Sequence, residues 1–135
     1  MKTTVKELRL ILTVDNLDEL ISFYRDTVGL ETSKEWHEEA GNGIILDAGR
    51  ASLELIDAKH ADRIDQIEVG KRVSGPIRLA LRVSEPIPAA TETLVDGGAT
   101  SVAPPTTAPW SEVSRVQAPD GMQITLFATS TLVDK

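Results

Sequence analysis

The sequence predicts an α+β fold made of two tandem βαβββ modules. Three observations carry that prediction. Short runs alternate apolar and polar residues as half-buried strands do, longer runs repeat apolar residues at helical spacing, and the second half of the chain repeats the first at a nearly fixed offset.

The first strand is "LRLILTV", residues 8 to 14. Its alternation puts Leu8, Leu10, Leu12 and Val14 on one face, expected to be core, and Arg9, Ile11 and Thr13 on the other. A helix follows, opened by Asn16 and Glu19 at capping-box spacing. Leu17, Leu20, Ile21, Tyr24 and Val28 carry it to a stop at Gly29. Next come a strand around Thr32 to His37, a turn at Gly41 to Gly43, and "GIILDAG" with "ASLELID", which read as a hairpin turning at Gly49.

The second half begins again with "IRLALRV". An offset of 69 residues takes Arg9 to Arg78, Val14 to Val83 and Gly29 to Gly98. Ser84 and Pro86 start a second helix carrying Ile87, Ala90, Leu94 and Val95. "ASLEL" then aligns with "MQITL" at an offset of 71, so the second copy holds a small loop insertion. The prolines of "SEPIP" and "APPTTAP" are expected to mark a helix start and a loop before a strand. One compact domain over residues 1–135 is expected: module one at about 5–57, a polar connector with room for a short helix at about 58–74, and module two at about 75–129. Acidic runs such as "HEEA" and "DRIDQIE" are expected to be solvated surface.

Composition narrows the function classes. The hydrophobic content of 41% is enough for a core, and the absence of cysteine excludes a disulfide framework, a thiolate metal site and a cysteine nucleophile. A net charge of −7 disfavours nucleic acid, whose binding needs a cationic surface. No apolar run is long enough to span a membrane and the N-terminus lacks the features of a secretory signal, so the expected compartment is the cytoplasm. There is no glycine-rich phosphate cradle, nucleophile elbow or Ser-His-Asp order.

The order of elements, "FYRDTVGLE" closing the first helix and "APDGMQITLF" forming the last turn and strand resemble the vicinal oxygen chelate superfamily of glyoxalases, bleomycin-resistance proteins and extradiol dioxygenases. The resemblance covers nearly the whole chain. It implies a cupped, largely antiparallel sheet around a cavity, and a homodimer, in some members with modules exchanged between chains. It also implies up to four metal ligands, mostly His and Glu, on the first and fourth strands of each module. Those positions fall on Arg9, Glu54, Arg78 and Thr125. Strand alternation independently turns all four away from their strands' Leu, Ile and Val residues.

A guanidinium has no lone pair to give and repels a cation, so the expected metal set is none and no cofactor is implied. His37 and His60 lie at no motif position and are expected to be solvated or on an edge strand. The reading that follows is a metal-independent small-molecule binding protein. Its anionic or planar ligand is held by Arg9, Glu54, Arg78, Arg82, Trp110, Thr125 and Phe127. Trp36, in the polar setting "SKEWHEEA", is expected at a rim or dimer interface. A structural alternative has Glu54 bridging Arg9 and Arg78 as an internal ion cluster. The enzymatic alternative is a lyase, isomerase or dioxygenase type, either metal-dependent through unrecognised ligands or metal-free with Glu54 as catalytic base, although arginine neighbours would depress the pKa of that carboxyl.

Overall fold

The structure, a computed structural model, describes residues 2–128. The expected end of module two, residue 129, lies outside them. The chain runs β1 (Val5–Thr13), α1 (Leu17–Ile21) continued by a π-helical stretch (Ser22–Thr27), β2 (Glu31–Glu38), β3 (Gly41–Asp47), β4 (Ser52–Ile56), α2 (Ala58–Glu68), β5 (Ile77–Val83), α3 (Ile87–Asp96), β6 (Thr100–Ala108), β7 (Ser111–Gln117) and β8 (Gln123–Phe127). Among the described residues these strands form one curled, open sheet in the order β2-β3-β4-β1-β5-β8-β7-β6. The fold is α+β. Strands β1 and β5 are antiparallel neighbours at the centre, β1 pairs parallel with β4 and β5 with β8, and the remaining pairs are antiparallel. Exchanging the first four strands for the last four gives the same order read from the other edge, in keeping with the 69-residue offset.

On the convex side each half of the sheet carries one helix. Leu17 and Ile21 of α1 pack on Ile44, Leu46, Leu53 and Leu55, while Ile87 and Ala90 of α3 pack on Val83 and Leu126. Full burial of side chains such as Ile44, Leu46 and Leu55 contributes roughly 1.5–3 kcal/mol each. Beyond Ile21 the first helix widens to a π pattern, with the Val28 amide donating to the Phe23 carbonyl, and the chain turns at Gly29 with φ of 95°.

The expectation for β1 needs correcting. Only Leu12 and Val14 reach the cluster under α1, whereas Leu8 and Leu10 are 40% and 36% exposed. The α-helical part of α1 is too short to reach the centre of the sheet. The buried apolar residue of β1 is Ile11, on the concave side.

A second correction concerns the connector. It forms α2, an eleven-residue helix that lies against the concave face, touching β3 of the first half and β6 and β7 of the second. Asp57 is its N-cap, accepting from the His60 amide at 2.8 Å and from the Asn42 amide at 3.0 Å. Ala61 is buried with Ile11, Ile56, Ala80, Val113 and Phe127, and Ile64 and Ile67 pack on the same cluster. The acidic residues of "DRIDQIE" are therefore not all solvated, since Asp65 and Glu68 are buried. A third correction falls on "APPTTAP", which is mostly strand rather than loop. Pro104 and Pro105 sit in β6, where the register with β7 shifts, and an edge strand tolerates their missing amides, while Pro109 lies in the turn that follows.

Candidate functional site

Between α2 and the concave face lies a cavity of about 350 Å³. Arg9 and Ile11 of β1, Glu54 of β4, Arg78 and Ala80 of β5, and Thr125 and Phe127 of β8 form its floor. Lys34, Trp36 and Glu38 of β2 close one side, the Pro109–Trp110 turn with Ser111 and Val113 the other, and His60, Arg63, Ile64 and Glu68 of α2 cover it. Strand alternation explains the floor: Arg9 and Ile11, like Arg78 and Ala80, are two residues apart and share a face.

Two charge groups meet there. In the first, Asp65 of α2 accepts from the amides of Val73 and Ser74 at 2.9 and 2.8 Å, from Arg78 Nη1 at 2.9 Å and from Arg115 Nη1 at 3.1 Å. Arg115 also donates to Ser74 Oγ at 2.9 Å, Thr125 Oγ1 at 3.0 Å and Glu68 Oε1 at 2.7 Å. Glu68 in turn accepts from Trp110 Nε1 at 2.9 Å. Burial pushes the Asp65 carboxyl up, but the two amides and the two guanidinium groups outweigh it and hold the pKa below the usual carboxylate range. In the second group Glu7 accepts from Arg9 Nε at 2.6 Å and from Ser52 Oγ at 2.7 Å, and these contacts, with the charge of Arg82, overcome burial and lower its pKa.

Glu54 lies between the groups, 3.8 Å from Arg9 Nη1. Burial pushes its pKa up to about 7, against the pull of Arg9 and Arg78. The expected depression by neighbouring arginines is thus reversed, because desolvation is the larger effect. The proposed Arg9–Glu54–Arg78 bridge is also incomplete, since the carboxylate bonded to Arg78 is Asp65.

Of the candidates read from the sequence, Arg9, Glu54, Arg78, Trp110, Thr125 and Phe127 line the cavity, and the Arg9 guanidinium lies 4.8 Å from the Phe127 ring centroid. Arg82 does not line it. That side chain lies farther along β5, with Nε 3.8 Å from Glu7. Trp36 is a wall of the cavity rather than a rim residue, although its neighbours Glu35 and His37 are polar and His37 is exposed and bonded to Glu35. His60 is likewise in the wall and mostly buried, not solvated, and burial with the Arg63 charge lowers its pKa to about 4. Sequence reasoning missed Asp65, Glu68 and Arg115. Arg115 had one signal, alternation with Val113 in β7, but its partners lie on α2, on β8 and at Ser74 in the segment after α2.

A metal ion, as the resemblance implies for enzymatic members, does not fit the four positions the resemblance assigns to ligands, Arg9, Glu54, Arg78 and Thr125, where only Glu54 is a usual ligand. Among the described residues no group of three or more His, Cys, Asp or Glu side chains converges as a metal site. Arg78 reinforces the point: it stands 1% exposed with Nη1 on Asp65 and with Nε and Nη2 lacking a hydrogen-bond partner.

Fold and cavity define a curled βαβββ-repeat protein with a site under its concave face. The model of the Glyoxalase/Bleomycin resistance protein/Dioxygenase superfamily matches residues 7–126, and the chain belongs to that family. No curated protein matches it. Among solved structures it is similar to a hypothetical protein from Bacillus halodurans C-125, at 12% identity and a TM-score of 0.65, covering 96% of each chain. It is also similar to methylmalonyl-CoA epimerase from Mycobacterium tuberculosis, at 18% identity and a TM-score of 0.60, covering 98% of this chain and 92% of that one. A variant of homoprotocatechuate 2,3-dioxygenase from B. fuscum is similar at 21% identity and a TM-score of 0.58, covering 96% of this chain and 33% of that one. At these identities the likeness is one of fold.

Proposed function

We propose that this chain is a small-molecule binding protein of the superfamily that works without a metal ion, holding a flat carboxylate ligand under α2. The observation that carries the reading is Arg78, buried in the cavity floor with two N–H-bearing atoms unpaired. An unsatisfied buried donor costs roughly 1–3 kcal/mol, and a carboxylate placed edge-on to Nε and Nη2 removes that cost with charge-assisted bonds. Trp36, Trp110 and Phe127 supply aromatic wall for a flat body. The volume of about 350 Å³ is near the lower end of ligand pockets, roughly 300–1,000 Å³, which favours a metabolite-sized guest. The proposal includes a homodimer, supported by the apolar strip of Leu8, Leu10 and Ile77 left uncovered on the convex face.

Calorimetric titration with benzoate and benzamide, with and without chelator, tests the reading. Benzoate binds at least about tenfold more tightly than benzamide, unaffected by chelator, and Arg78→Gln removes that preference because the cationic donor is gone. Equal binding of the two probes, or loss of binding on chelation, contradicts it.

A second reading, acid–base catalysis by Glu54, is favoured by its pKa of about 7, which suits proton transfer at neutral pH. Exchange of an acidic C–H of a bound carboxylic acid with deuterated solvent, abolished in Glu54→Gln, would distinguish an enzyme from a binding protein.

A further inference from the structure

Two more buried polar atoms, on side chains that line the same cavity, have no hydrogen-bond partner among the described residues: Trp36 Nε1 and His60 Nδ1. Their rings stand with centroids 5.2 Å apart, tilted by 52°. Each is held in place by local structure. The Trp36 ring lies against Gly43, where a Cβ would come within 2.2 Å of Cζ2. His60 is set by the Asp57 cap and by Gly41, whose φ is 131° and whose Cβ would lie 2.3 Å from the His60 nitrogen. Larger residues at either glycine would displace the pair.

We propose that Trp36 and His60 form a second, neutral pole of the cavity that binds a hydroxyl or carbonyl oxygen at the end of the ligand remote from its carboxylate. The inference rests on the carboxylate reading of Arg78 given above. Indole Nε1 only donates, whereas an imidazole nitrogen donates or accepts according to tautomer, so the pair matches a hydroxyl with both roles or a carbonyl with two donors. Charges facing His60 come from Arg63 on its own helix, Asp57 at the cap, Glu38 on β2 and Arg78 on β5. With burial they leave the ring neutral at pH 7, so this pole does not compete for the anionic end. His60 precedes Asp65, the partner of Arg78, by five residues, or roughly 7.5 Å along the helix axis. The pair stands on β2 and the start of α2 while Arg78 stands on β5, so the ligand class proposed is a flat acid bearing its oxygen across the ring from the carboxylate.

The test compares 4-hydroxybenzoate, benzoate and 4-methylbenzoate by calorimetry in the full chain and in Trp36→Phe and His60→Phe, with thermal melts confirming that the variants fold. In the wild type 4-hydroxybenzoate binds about tenfold more tightly than benzoate, as one or two buried hydrogen bonds would give. Trp36→Phe, which keeps an aromatic body, and His60→Phe each reduce that preference at least threefold, read as the ratio of 4-hydroxybenzoate to benzoate affinity within the same protein, so that any change in benzoate binding itself drops out. If benzoate and 4-hydroxybenzoate bind equally, or the preference survives both substitutions, the second pole is refuted while the Arg78 anchor stands. If neither acid binds, both readings fall together.

Discussion

At Glu54 burial and charge pull in opposite directions, and burial wins. Its inward direction was legible from the alternation of "SLELI", but the sign of its pKa shift was not, because depth of burial is set by α2 and by strands distant in the chain. The folded carboxyl keeps its proton up to about pH 7, while the unfolded one titrates near 4.5. Between those values the native state binds more protons, so stability falls as pH rises through the window, and the cost, about 3 kcal/mol, is complete above it. Glu54→Gln keeps the shape and removes the charge. It should therefore be more stable than wild type by up to about 3 kcal/mol at pH 8, with the gain falling to about 1 kcal/mol at pH 5 and toward zero near pH 4, as measured by urea denaturation. The titrations of His60 and Asp65 are common to both proteins and cancel. A Glu54→Gln protein less stable at pH 8 would show that Arg9 needs the carboxylate more than burial penalises it.

The element whose role the sequence concealed is α2. Its apolar residues Ala61, Ile64 and Ile67 recur at helical spacing, so a short helix was legible. Its acidic composition suggested solvent, because the cations that pair Asp65 and Glu68 stand on β5 and β7, 13 and 47 residues downstream. The same distance hid Arg115, which is 0% exposed and bound on three sides. β6 misled for a different reason: adjacent prolines signal a loop, yet an edge strand with register shifts accepts them. Of the three carboxylates of α2 that meet arginines, Asp65 and Asp62 should differ sharply in worth. Asp65→Asn leaves two buried guanidinium groups without their shared anion and should cost about 3–5 kcal/mol in denaturant unfolding. Asp62→Asn, which breaks an exposed pair with Arg72, should cost less than about 1 kcal/mol. Similar costs for the two would mean that Asp65 does not anchor the helix.

For the whole molecule the repeat was the decisive sequence signal, since a 69-residue offset specifies a sheet whose halves meet at β1 and β5. The sequence could not reveal that the cup is covered by its own connector, or that among the described residues the centre of the convex face is left exposed. There Leu8, Leu10 and Leu12 sit opposite Leu81, Leu79 and Ile77 in register, with Ile77 47% exposed. If this strip joins two copies, sedimentation equilibrium gives a dimer for the wild type and a monomer for Leu10→Lys. A wild-type monomer would remove the homodimer from the account.

We propose that Arg78, at a position the family resemblance assigns to a metal ligand, holds an anion through its two unpaired buried nitrogens. A crystal structure of the benzoate complex tests it most directly. The account predicts the carboxylate on Nε and Nη2 of Arg78, at roughly 2.7–2.9 Å, with no cation between them. A carboxylate held instead at the mouth by Lys34 or Arg63, or one bridged to Glu54 through a metal ion, would contradict it.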